Sequence, residues 1–424
     1  MLKENSDMYK RITRQLERFG HVQGLMRYIN EETLLQKHKR LPKDKATGID
    51  KVTKEEYDAN IEENIGNLIY GMKHHQYKPQ PVDRKYIPKA NGKTRPLGIP
   101  TYEDKLVQAQ VAEILNIIFD RYFKDFSFGY REGKSAQQAV EEIDNIIMHK
   151  KVNFIFEADI KGFFDHVVHE ILLRMLEVVI EDRDFIELIR KFLKAGYMEN
   201  GELKESEEGT PQGGIISPIL ANLYLHVVLD TWFENEFKKL CKGEVYIVRY
   251  CDDFVCMFQY KQDVELLSKM IVSRFEQFGL ELEPTKTKSF PFGRYCKEKT
   301  SFDFLGFTFT NGKTRNNYYR VSITTSKKKS KLKYKELIDF IKENRTTKPN
   351  DLIDALNRKL VGMYNYYGIS GNYLWMIRLY NTIKSIIRKW LSRRSQRGKI
   401  TWDKMQRIFE FKPLIKPTIK YQLW

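Results

Sequence analysis

Two adjacent aspartates, Asp252 and Asp253, stand between two short apolar runs and are the residues of this 424-residue chain whose spacing most clearly suggests chemistry. The flanking runs, residues 246–248 and 254–258, are rich in β-forming side chains, which predicts a hairpin with the acids at its tip. At an effective dielectric near 20, unit charges about 4 Å apart repel by roughly 4 kcal/mol. A divalent cation would cancel this repulsion, and two metals about 3.5–4 Å apart are common in phosphoryl transfer. A solvated turn stays open as the alternative, because Asp also favours turns.

Asp159 is the best candidate for a third carboxylate in the same site. It follows an apolar run at residues 154–156, which predicts a buried strand ending where an acidic side chain can project toward the hairpin tip. Three acids that converge from a strand end and a hairpin can hold two Mg²⁺ ions through oxygen ligands and leave positions for water. Asp165, a little further along, is expected at a turn or a helix start.

A glycine-rich loop at residues 209–214 precedes a helix that is predicted to begin at Ser217-Pro218. Glycines let the backbone approach a ligand closely, and a helix N-terminus favours phosphate. Glycine pairs are common, so this loop alone does not identify a nucleotide site.

The elements that must position these residues mix helices and strands, which predicts an α+β fold. Residues 1–84 are mainly amphipathic helix, interrupted by a loop at 41–50. A hairpin with Asn91-Gly92 at its tip is expected over 85–100. Further elements are predicted from the apolar spacing: helices over 107–118, from Ser217, from Asn350 and from Tyr373 to about Arg394, and a strand over 302–309.

Composition points to a globular protein that works in a reducing cytoplasm. Hydrophobic residues make up 42% of the chain and aromatic residues 13%, which excludes a disordered protein. No apolar run reaches 18 residues, so no membrane partner is expected. The cysteines form no CxxC pair and flank no histidine cluster, which argues against zinc and a disulfide framework. They are Cys241, Cys251, Cys256 and Cys296.

The net charge of +17 arises entirely near the C-terminus. Residues 326–424 hold 24 of the 73 Lys and Arg residues but only 7 of the 56 Asp and Glu residues. A basic region on an otherwise neutral chain points to a polyanionic partner, and the aromatic residues among the cations favour nucleic acid over a merely solubilising surface. Six to ten phosphate contacts would lower affinity by about 10³–10⁵ between 50 and 200 mM salt.

With Asp159, the glycine loop and the Asp252-Asp253 hairpin in this order, the chain resembles the reverse transcriptases, and among them the group II intron-encoded reverse transcriptase–maturases. Residues 364–372 and 389–396 are similar to the maturase or X domain, which separates this family from retroviral and retron enzymes. Blocks similar to the family's polymerase motifs span residues 85–100 and 126–136 for the fingers, 158–165 for the palm strand, 209–223 for the nucleotide-contacting block and 304–307 for the primer grip.

The resemblance implies a right-hand polymerase architecture in three parts. Residues 1–84 would be an RNA-binding N-terminal extension and the start of the fingers. Residues 85–324 would form the fingers and palm, with an antiparallel sheet. Residues 325–424 would form an all-helical, basic thumb and maturase X domain.

The resemblance also implies roles for individual residues. Asp159, Asp252 and Asp253 would be the catalytic acids that hold two Mg²⁺ ions, with the carbonyl of Ile160 as a further ligand. Cys251 departs from the Ala that the family most often carries there, which is expected to alter fidelity or nucleotide preference at most. The remaining implied contacts are Lys89, Arg95, Ile160, Phe163, Phe164 and Gln212 for the deoxynucleotide, Leu305 and Gly306 for the primer grip, and Tyr366, Tyr367, Asn372, Arg388, Lys389, Arg393 and Arg394 for RNA.

Within this set, Lys89 and Arg95 would clamp the triphosphate, Gln212 would lie against the sugar and Phe164 would exclude a 2′-hydroxyl. Plainer alternatives stay open for each group. The two cations could belong to a solvated hairpin, and the phenylalanines could serve core packing. The tyrosines could pack within the thumb without contacting RNA. Arg393 and its neighbour could be a solvated helix end.

The function implied is an RNA-directed DNA polymerase that copies RNA into cDNA and, as a maturase, binds its intron RNA to assist splicing and retromobility. Its partners would be intron RNA, an RNA template, a DNA primer or target and dNTPs, in the cytoplasm and nucleoid of a bacterium, as a monomer or a homodimer. Two alternatives stay open: a domesticated relative in DNA repair or phage defence, and an RNA-binding splicing cofactor with a dormant polymerase site. Because no Cys/His pairs precede Trp424, this chain is expected to lack the HNH endonuclease of longer relatives.

Overall fold

The computed structural model describes residues 6–88, 94–205, 207–210, 213–394 and 398–423. The chain forms two compact units. The first comprises Met1–Ser135, Glu157–Phe254 and Gln262–Lys288, and the second comprises Ala136–Phe156, Val255–Lys261 and Ser289–Trp424. The predicted domain boundaries after residues 84 and 324 stay predictions.

The N-terminal part of the first unit is helical, as predicted. The side chain of Ser6 caps the first helix by accepting from Tyr9 N at 3.2 Å, and Gly20 ends that helix at a φ of +75°. Asn30 and Thr33 form a capping box at the start of the second. The helices are α1 (Asp7–Phe19), α2 (Glu31–Arg40), α3 (Lys54–Asp58) and α4 (Ile61–Lys73).

A small four-stranded sheet follows. Its strands are β1 (Val82–Pro88), β2 (Thr94–Ile99), β4 (Tyr197–Glu199) and β5 (Glu202–Lys204), in the order β2-β1-β4-β5. β1 and β2 are antiparallel, with Arg84 opposite Gly98 and Ile87 opposite Arg95, whereas β1 and β4 are parallel. The predicted tip at Asn91-Gly92 lies outside the described residues.

The predicted hairpin of acids belongs to a second four-stranded sheet with the order β6-β7-β3-β8. The strands are β3 (Phe154–Ala158), β6 (Val245–Tyr250), β7 (Asp253–Phe258) and β8 (Lys288–Pro291). The predictions of a strand ending at Asp159 and of a hairpin around Asp252 are therefore confirmed.

Helices follow the strands of the first unit. The predicted helix at 217 is present, but Ser217 is its first residue and Ile216 occupies the N-cap position without a side-chain cap. That helix continues through π-helical stretches at His226–Thr231 and Phe233–Phe237. The helices are α5 (Tyr102–Phe119), α6 (Ala136–His149, in the second unit), α7 (His169–Glu177), α8 (Arg183–Lys194), α9 (Ser217–Leu225), α10 (Lys238–Leu240) and α11 (Lys261–Glu276).

The second unit contains the three-stranded sheet β11-β10-β9, formed by β9 (Ser301–Phe304), β10 (Phe307–Lys313) and β11 (Tyr319–Thr325). The prediction of a single strand over residues 302–309 is wrong. Leu305 and Gly306 adopt left-handed φ angles of +50° and +82°, so the chain reverses there and forms two antiparallel strands.

Helices also fill the C-terminal part of this unit: α12 (Lys327–Glu343), α13 (Pro349–Tyr367), α14 (Tyr373–Leu391) and α15 (Trp402–Phe411). The helix predicted from Asn350 begins one residue earlier, because Pro349 suits the first helical position. The next helix ends at Leu391 instead of Arg394. Leucine and isoleucine side chains from the first three helices and Met405 from the fourth form one buried core. Among the residues described, no helix is both long and apolar enough to cross a membrane.

Candidate active site

The tip that carries Asp252 and Asp253 is held in an unusual backbone conformation. Cys251 has a φ of +58°, in the left-handed region that non-glycine residues rarely adopt. The backbone of Gly129 lies against this turn, where an added Cβ atom would come within 2.4 Å of Cys251 N. The tip is therefore packed against a neighbouring loop, and position 129 requires glycine.

A buried arginine supports the tip from behind. Arg249 has no exposed side-chain surface, and its guanidinium donates to both carboxylate oxygens of Asp230, at 2.7 and 2.5 Å. Its Nη1 donates to the carbonyl oxygen of Cys251 at 3.0 Å and to Asn222 Oδ1 at 3.1 Å. Asn222 in turn donates to the carbonyl of Gly129. Burial opposes ionisation of Asp230, but the adjacent Arg249 charge holds the pKa of that carboxyl below its ordinary value.

This network was not predicted from the sequence. The available signal was a lone arginine inside the apolar strand β6, since a buried charge needs a partner.

Asp159 converges on the tip. Asn153 N, just before β3, donates to the carbonyl of Phe258 at the end of β7 at 2.8 Å, so these neighbouring strands run antiparallel. Continuing that register brings Asp159 beside Asp252. The charge of Asp159 accordingly raises the pKa of both Asp252 and Asp253. The structure therefore brings the three predicted acids together.

The carboxylates at the tip resist ionisation. Burial is the largest cause that raises the pKa of Asp253 to about 7, followed by repulsion from Asp252 and then Asp159. The Asp253 side chain nevertheless reaches solvent. The repulsion between the acids is the part of this pKa change that a bound cation would cancel. Burial also raises the pKa of Asp252, while the charge of Arg95 lowers it.

The donor set suits Mg²⁺, although a lysine holds one of the acids. The Lys286 ammonium forms an ion pair with Asp159. Glu283 N donates to the Asp159 carbonyl and Lys161 N to the Glu281 carbonyl, both at 2.8 Å, a pattern that turns the carbonyl of Ile160 away from this pairing. Within the described ranges, no group of three Asp, Glu, His or Cys side chains is arranged closely enough to hold a metal ion as it stands. For Mg²⁺ to bind, the Asp159 carboxylate would therefore have to leave the Lys286 ammonium. The carboxylate and carbonyl oxygens of the site would then contact the ion in place of that ammonium.

Two of the predicted nucleotide contacts, Lys89 and Gln212, lie outside the described residues. Arg95 is exposed on β2, and its charge acts on Asp252, which places it near the acids. The glycine loop packs against the same strand, because an added Cβ atom on Gly213 would lie 2.4 Å from the carbonyl of Gly98.

Phe163 and Phe164 follow the Asp159 strand and are both buried, with ring centroids 5.5 Å apart. Phe163 also lies near Tyr224, at 6.5 Å. The carbonyl of Phe164 accepts from Thr210 N at 2.7 Å, so the glycine loop directly touches the segment that follows Asp159. Asp165 is exposed.

Comparison with known proteins identifies the family. Residues 87–309, more than half of the chain, match the family model described as reverse transcriptase (RNA-dependent DNA polymerase). The chain belongs to this family. Residues 327–409 match the model described as group II intron, maturase-specific domain. The resemblance to group II intron-encoded reverse transcriptase–maturases is thereby confirmed.

Individual relatives agree. The chain is 45% identical over 170 residues to the group II intron-encoded protein LtrA of Lactococcus lactis subsp. cremoris, which covers 40% of this chain and 28% of that protein. It is 29% identical over 344 residues to protein YkfC of Escherichia coli (strain K12), covering 73% and 89%. It is 36% identical over 277 residues to an uncharacterized 91 kDa protein in the cob intron of Schizosaccharomyces pombe, covering 53% and 34%. The chain thus spans less than a third of LtrA.

The residues predicted for the primer grip lie in the turn between β9 and β10. The carbonyl of Leu305 accepts from the Tyr366 hydroxyl at 2.9 Å, and the carbonyl of Gly306 accepts from Ser326 N at 2.9 Å. Tyr366 also stacks on Phe307, with centroids 5.9 Å apart. The maturase-specific region of the second unit therefore fixes this turn.

Two residues predicted to contact RNA are buried instead. Asn372 has no exposed surface, and its amide bonds Thr325 N and Oγ1 and the carbonyl of Tyr367 at 2.7–3.0 Å. Tyr367 is also buried and packs on Phe307 and Trp375. Direct RNA contact by Asn372 and Tyr367 is therefore not supported, because the surfaces of both side chains are covered by other parts of the protein.

Three of the four cations predicted to contact RNA lie near tryptophans at the end of α14 and the start of α15. Arg388 lies over the Trp402 ring, at 4.6 Å. Lys389 and Arg393 approach the Trp390 ring at 6.0 and 5.3 Å, and both are exposed. Arg394, also exposed, donates to the carbonyl of Thr347.

Proposed function

We propose that this chain is an RNA-directed DNA polymerase that copies RNA into cDNA. The convergence of Asp159 with Asp252 and Asp253 is the observation that carries the proposal. Three repelling carboxylates that are partly open to solvent have no structural use, whereas phosphoryl transfer needs them. Family membership supports the same assignment.

In the proposed site, Asp159, Asp252, Asp253 and the Ile160 carbonyl would hold two Mg²⁺ ions. When bound, the ions lower the pKa of the primer 3′-hydroxyl and stabilise the leaving pyrophosphate. Arg95, together with Lys89, would align the triphosphate. Arg249 fixes the acids by holding the Cys251 carbonyl. The protein contributes alignment and charge neutralisation and needs no covalent intermediate.

Two further side chains would contact the deoxynucleotide sugar. Phe164 would stand where a 2′-hydroxyl would clash, and Gln212 would lie against the ring. The bond between the Phe164 carbonyl and Thr210 N of the glycine loop supports its part of this proposal, whereas the packing of Phe163 against Tyr224 fits a core role.

We assign the parts of a right-hand polymerase as follows: β1 and β2 to the fingers, the β6-β7-β3-β8 sheet to the palm and α12–α15 to the thumb. The exposed cations Lys389, Arg393 and Arg394 would bind the phosphates of the chain's intron RNA, whose folding for splicing this contact would assist. A DNA target would supply the primer, in the bacterial cytoplasm. A homodimer is compatible with this scheme.

Primer extension by purified, RNA-free protein on poly(rA)/oligo(dT) with Mg²⁺ tests the polymerase. Extension that disappears in Asp252→Asn supports it, whereas no extension by the parent protein would favour a splicing cofactor with a dormant site. Assisted splicing of an intron RNA taken from the DNA around the reading frame tests the maturase. The absence of any intron ribozyme there would favour a domesticated relative.

A further inference from the structure

Two tyrosines of the second unit present their rings to solvent with no use inside the protein. Tyr295 is 80% exposed and Tyr318 is 72% exposed. Within the described ranges, neither ring stacks on another ring or meets a cation. Isolated exposed apolar side chains are common, so the exposure of these rings needs further context before it suggests a ligand.

The backbone that presents the two tyrosines is firmly built. Asn311 on β10 links them, because its Oδ1 accepts from Gly293 N at 3.2 Å and from the Tyr319 hydroxyl at 2.8 Å. Gly293 has a φ of +131°, and an added Cβ atom there would meet the carbonyl of Val152 at 2.1 Å. Arg294 lies 5.9 Å from the Tyr319 ring. The loop that bears Tyr295 and the β10–β11 hairpin that bears Tyr318 are therefore fixed to one another.

Exposed cations lie close to the two tyrosines along the chain. Lys297 and Lys299 lie on the same loop as Tyr295, and Lys313 and Arg315 lie at the β10–β11 turn beside Tyr318. None of the four forms an ion pair in the part of the chain that the structure describes. Glu298 and Asp303 are the acids of these segments, and Asp303 accepts from the Thr308 hydroxyl. The segments therefore leave four unpaired positive charges next to two unused aromatic faces.

We propose that these six residues, the tyrosine–lysine surface, bind an unpaired stretch of RNA. Rings with exposed faces can stack on single bases, and neighbouring Lys and Arg side chains can contact the phosphates between them. Paired bases are stacked within a helix and offer no such face. A membrane would require a continuous apolar surface, which the four cations interrupt.

The inference deepens the proposed function, because it adds an RNA contact distinct from the thumb cations and from the catalytic acids. It would hold a single-stranded part of the long RNA that the protein copies or splices.

Photocrosslinking tests the proposal directly. A 4-thiouridine-substituted oligouridylate is irradiated with the full-length protein, and the crosslinked peptides are mapped by mass spectrometry. We expect crosslinks within residues 293–320. The double variant Tyr295→Ala/Tyr318→Ala should lose these crosslinks by about tenfold or more, because each stack is removed. Tyr295→Phe/Tyr318→Phe should keep them, since the ring faces remain. Crosslinks that are absent from this region, or unchanged in the Ala variant, would overturn the proposal.

The charges are tested by salt dependence. Lys297→Ala/Lys299→Ala should reduce the slope of log affinity against log salt, measured for the 293–320 crosslinks, by about 1.4 if both side chains contact phosphate. Lys239→Ala/Lys269→Ala removes the same charge from exposed positions of the first unit and should leave that slope unchanged. An equal slope in both variants, or tighter binding of an oligothymidylate than of the oligouridylate, would exclude an RNA site.

Primer extension separates this inference from the polymerase proposal. On a short hybrid with no overhanging RNA, Tyr295→Ala/Tyr318→Ala should extend the primer like the parent. Crosslinks without any primer extension would contradict the polymerase proposal and support the tyrosine–lysine surface. Primer extension without the crosslinks would support the polymerase proposal and contradict the tyrosine–lysine surface.

Discussion

Arg249 donates to the carbonyl oxygen of Cys251 at 3.0 Å, and no part of its side chain reaches solvent. One buried arginine thus joins the α9 helix and its π-helical continuation to the turn that bears Asp252 and Asp253, since it also bonds Asn222 and Asp230. The left-handed φ of Cys251 costs free energy, and strained turns of this kind persist where surrounding contacts fix them. Arg249 provides such a contact.

The first prediction separates the support that Arg249 gives to folding from the support it gives to the tip. Arg249→Met removes both guanidinium bonds to the buried Asp230 carboxylate and leaves the His226 imidazole beside it, with Nδ1 3.7 Å from Asp230 Oδ2. We therefore expect unfolding by denaturant to require about 3–5 kcal/mol less free energy. In Arg249→Met/Asp230→Leu the orphan charge is removed, and stability should return to near the parent value.

Primer extension should stay low in that double variant, because the Cys251 carbonyl still lacks its donor. Recovery of extension together with stability would mean that Arg249 serves folding alone.

The second prediction concerns the acids. Asp252→Asn removes one negative charge from the proposed magnesium site. This change should remove several kcal/mol of transition-state stabilisation, which corresponds to a loss of about 10³-fold or more in the rate of extension. Intron RNA affinity should stay within a few-fold. Asp165→Asn removes an exposed acid that follows the same strand and should change the rate by less than about threefold. If RNA affinity falls together with the rate in Asp252→Asn, the turn is structural.

The hairpin and the strand before Asp159 could be predicted because their signals are local. Both are short apolar runs that end in acids, and a run of that kind has few alternatives to a strand. The Arg249 network could not be predicted in the same way. Its partners Asn222 and Asp230 lie 27 and 19 residues away, and only the π-helical continuation of α9 brings Asp230 to the strand.

The roles of the maturase motif were also hidden from the sequence. Asn372 follows a run of tyrosines along the chain, with arginines further on, and this composition favours a surface contact with RNA. Its amide instead forms hydrogen bonds with Thr325, 47 residues away. The turn at Leu305 and Gly306 was missed for a simpler reason, because apolar residues on both sides of it suit one continuous strand.

The third prediction tests the sugar gate. Phe164→Ala should lower the preference for dNTP over NTP by about tenfold or more, because it removes the bulk expected near the 2′ position. Phe163→Ala, its buried neighbour, should destabilise the protein by about 3–5 kcal/mol without altering that preference. Single-nucleotide incorporation with matched dNTP and NTP measures the ratio. Equal selectivity in the parent and Phe164→Ala would remove Phe164 from the nucleotide site.

The fourth prediction concerns pH and magnesium. Lys286 lowers the pKa of Asp253, which burial and the neighbouring acids raise to about 7. In Lys286→Gln that pKa should rise further, so protons should compete with Mg²⁺ up to a higher pH. The rise in melting temperature caused by Mg²⁺ should therefore be smaller than in the parent at pH 6.5.

At pH 8.5 the order should reverse or the difference should vanish, because Asp253 is ionised and Asp159 no longer binds the Lys286 ammonium. Arg190→Gln, which breaks a salt bridge to Glu170 elsewhere in the same unit, is the matched control. An identical magnesium response of Lys286→Gln and the parent at both pH values would contradict the proposed exchange at Asp159.

The fifth prediction links a buried acid of α6 to stability. Asp144 is buried, and its Oδ1 has no hydrogen-bond partner. Burial raises its pKa to about 6 from an ordinary value of 3.8, while the charge of Arg320 lowers it. Between these two values the folded protein holds more protons than the unfolded chain, so stability falls as pH rises from 4 to 6 and the loss is complete above that range.

Asp144→Asn imitates the neutral form, so it should be more stable than the parent by about 3 kcal/mol at pH 7.5, since a tenfold change in a proton-binding constant corresponds to about 1.4 kcal/mol. The difference should shrink as the pH falls through 6 and disappear near pH 4, as measured by denaturant unfolding at each pH. Glu142→Gln removes the same charge from the same helix and should show no such trend. A gain in Asp144→Asn that is constant with pH would instead come from packing or a new hydrogen bond, because only titration of the parent carboxyl makes the difference depend on protons.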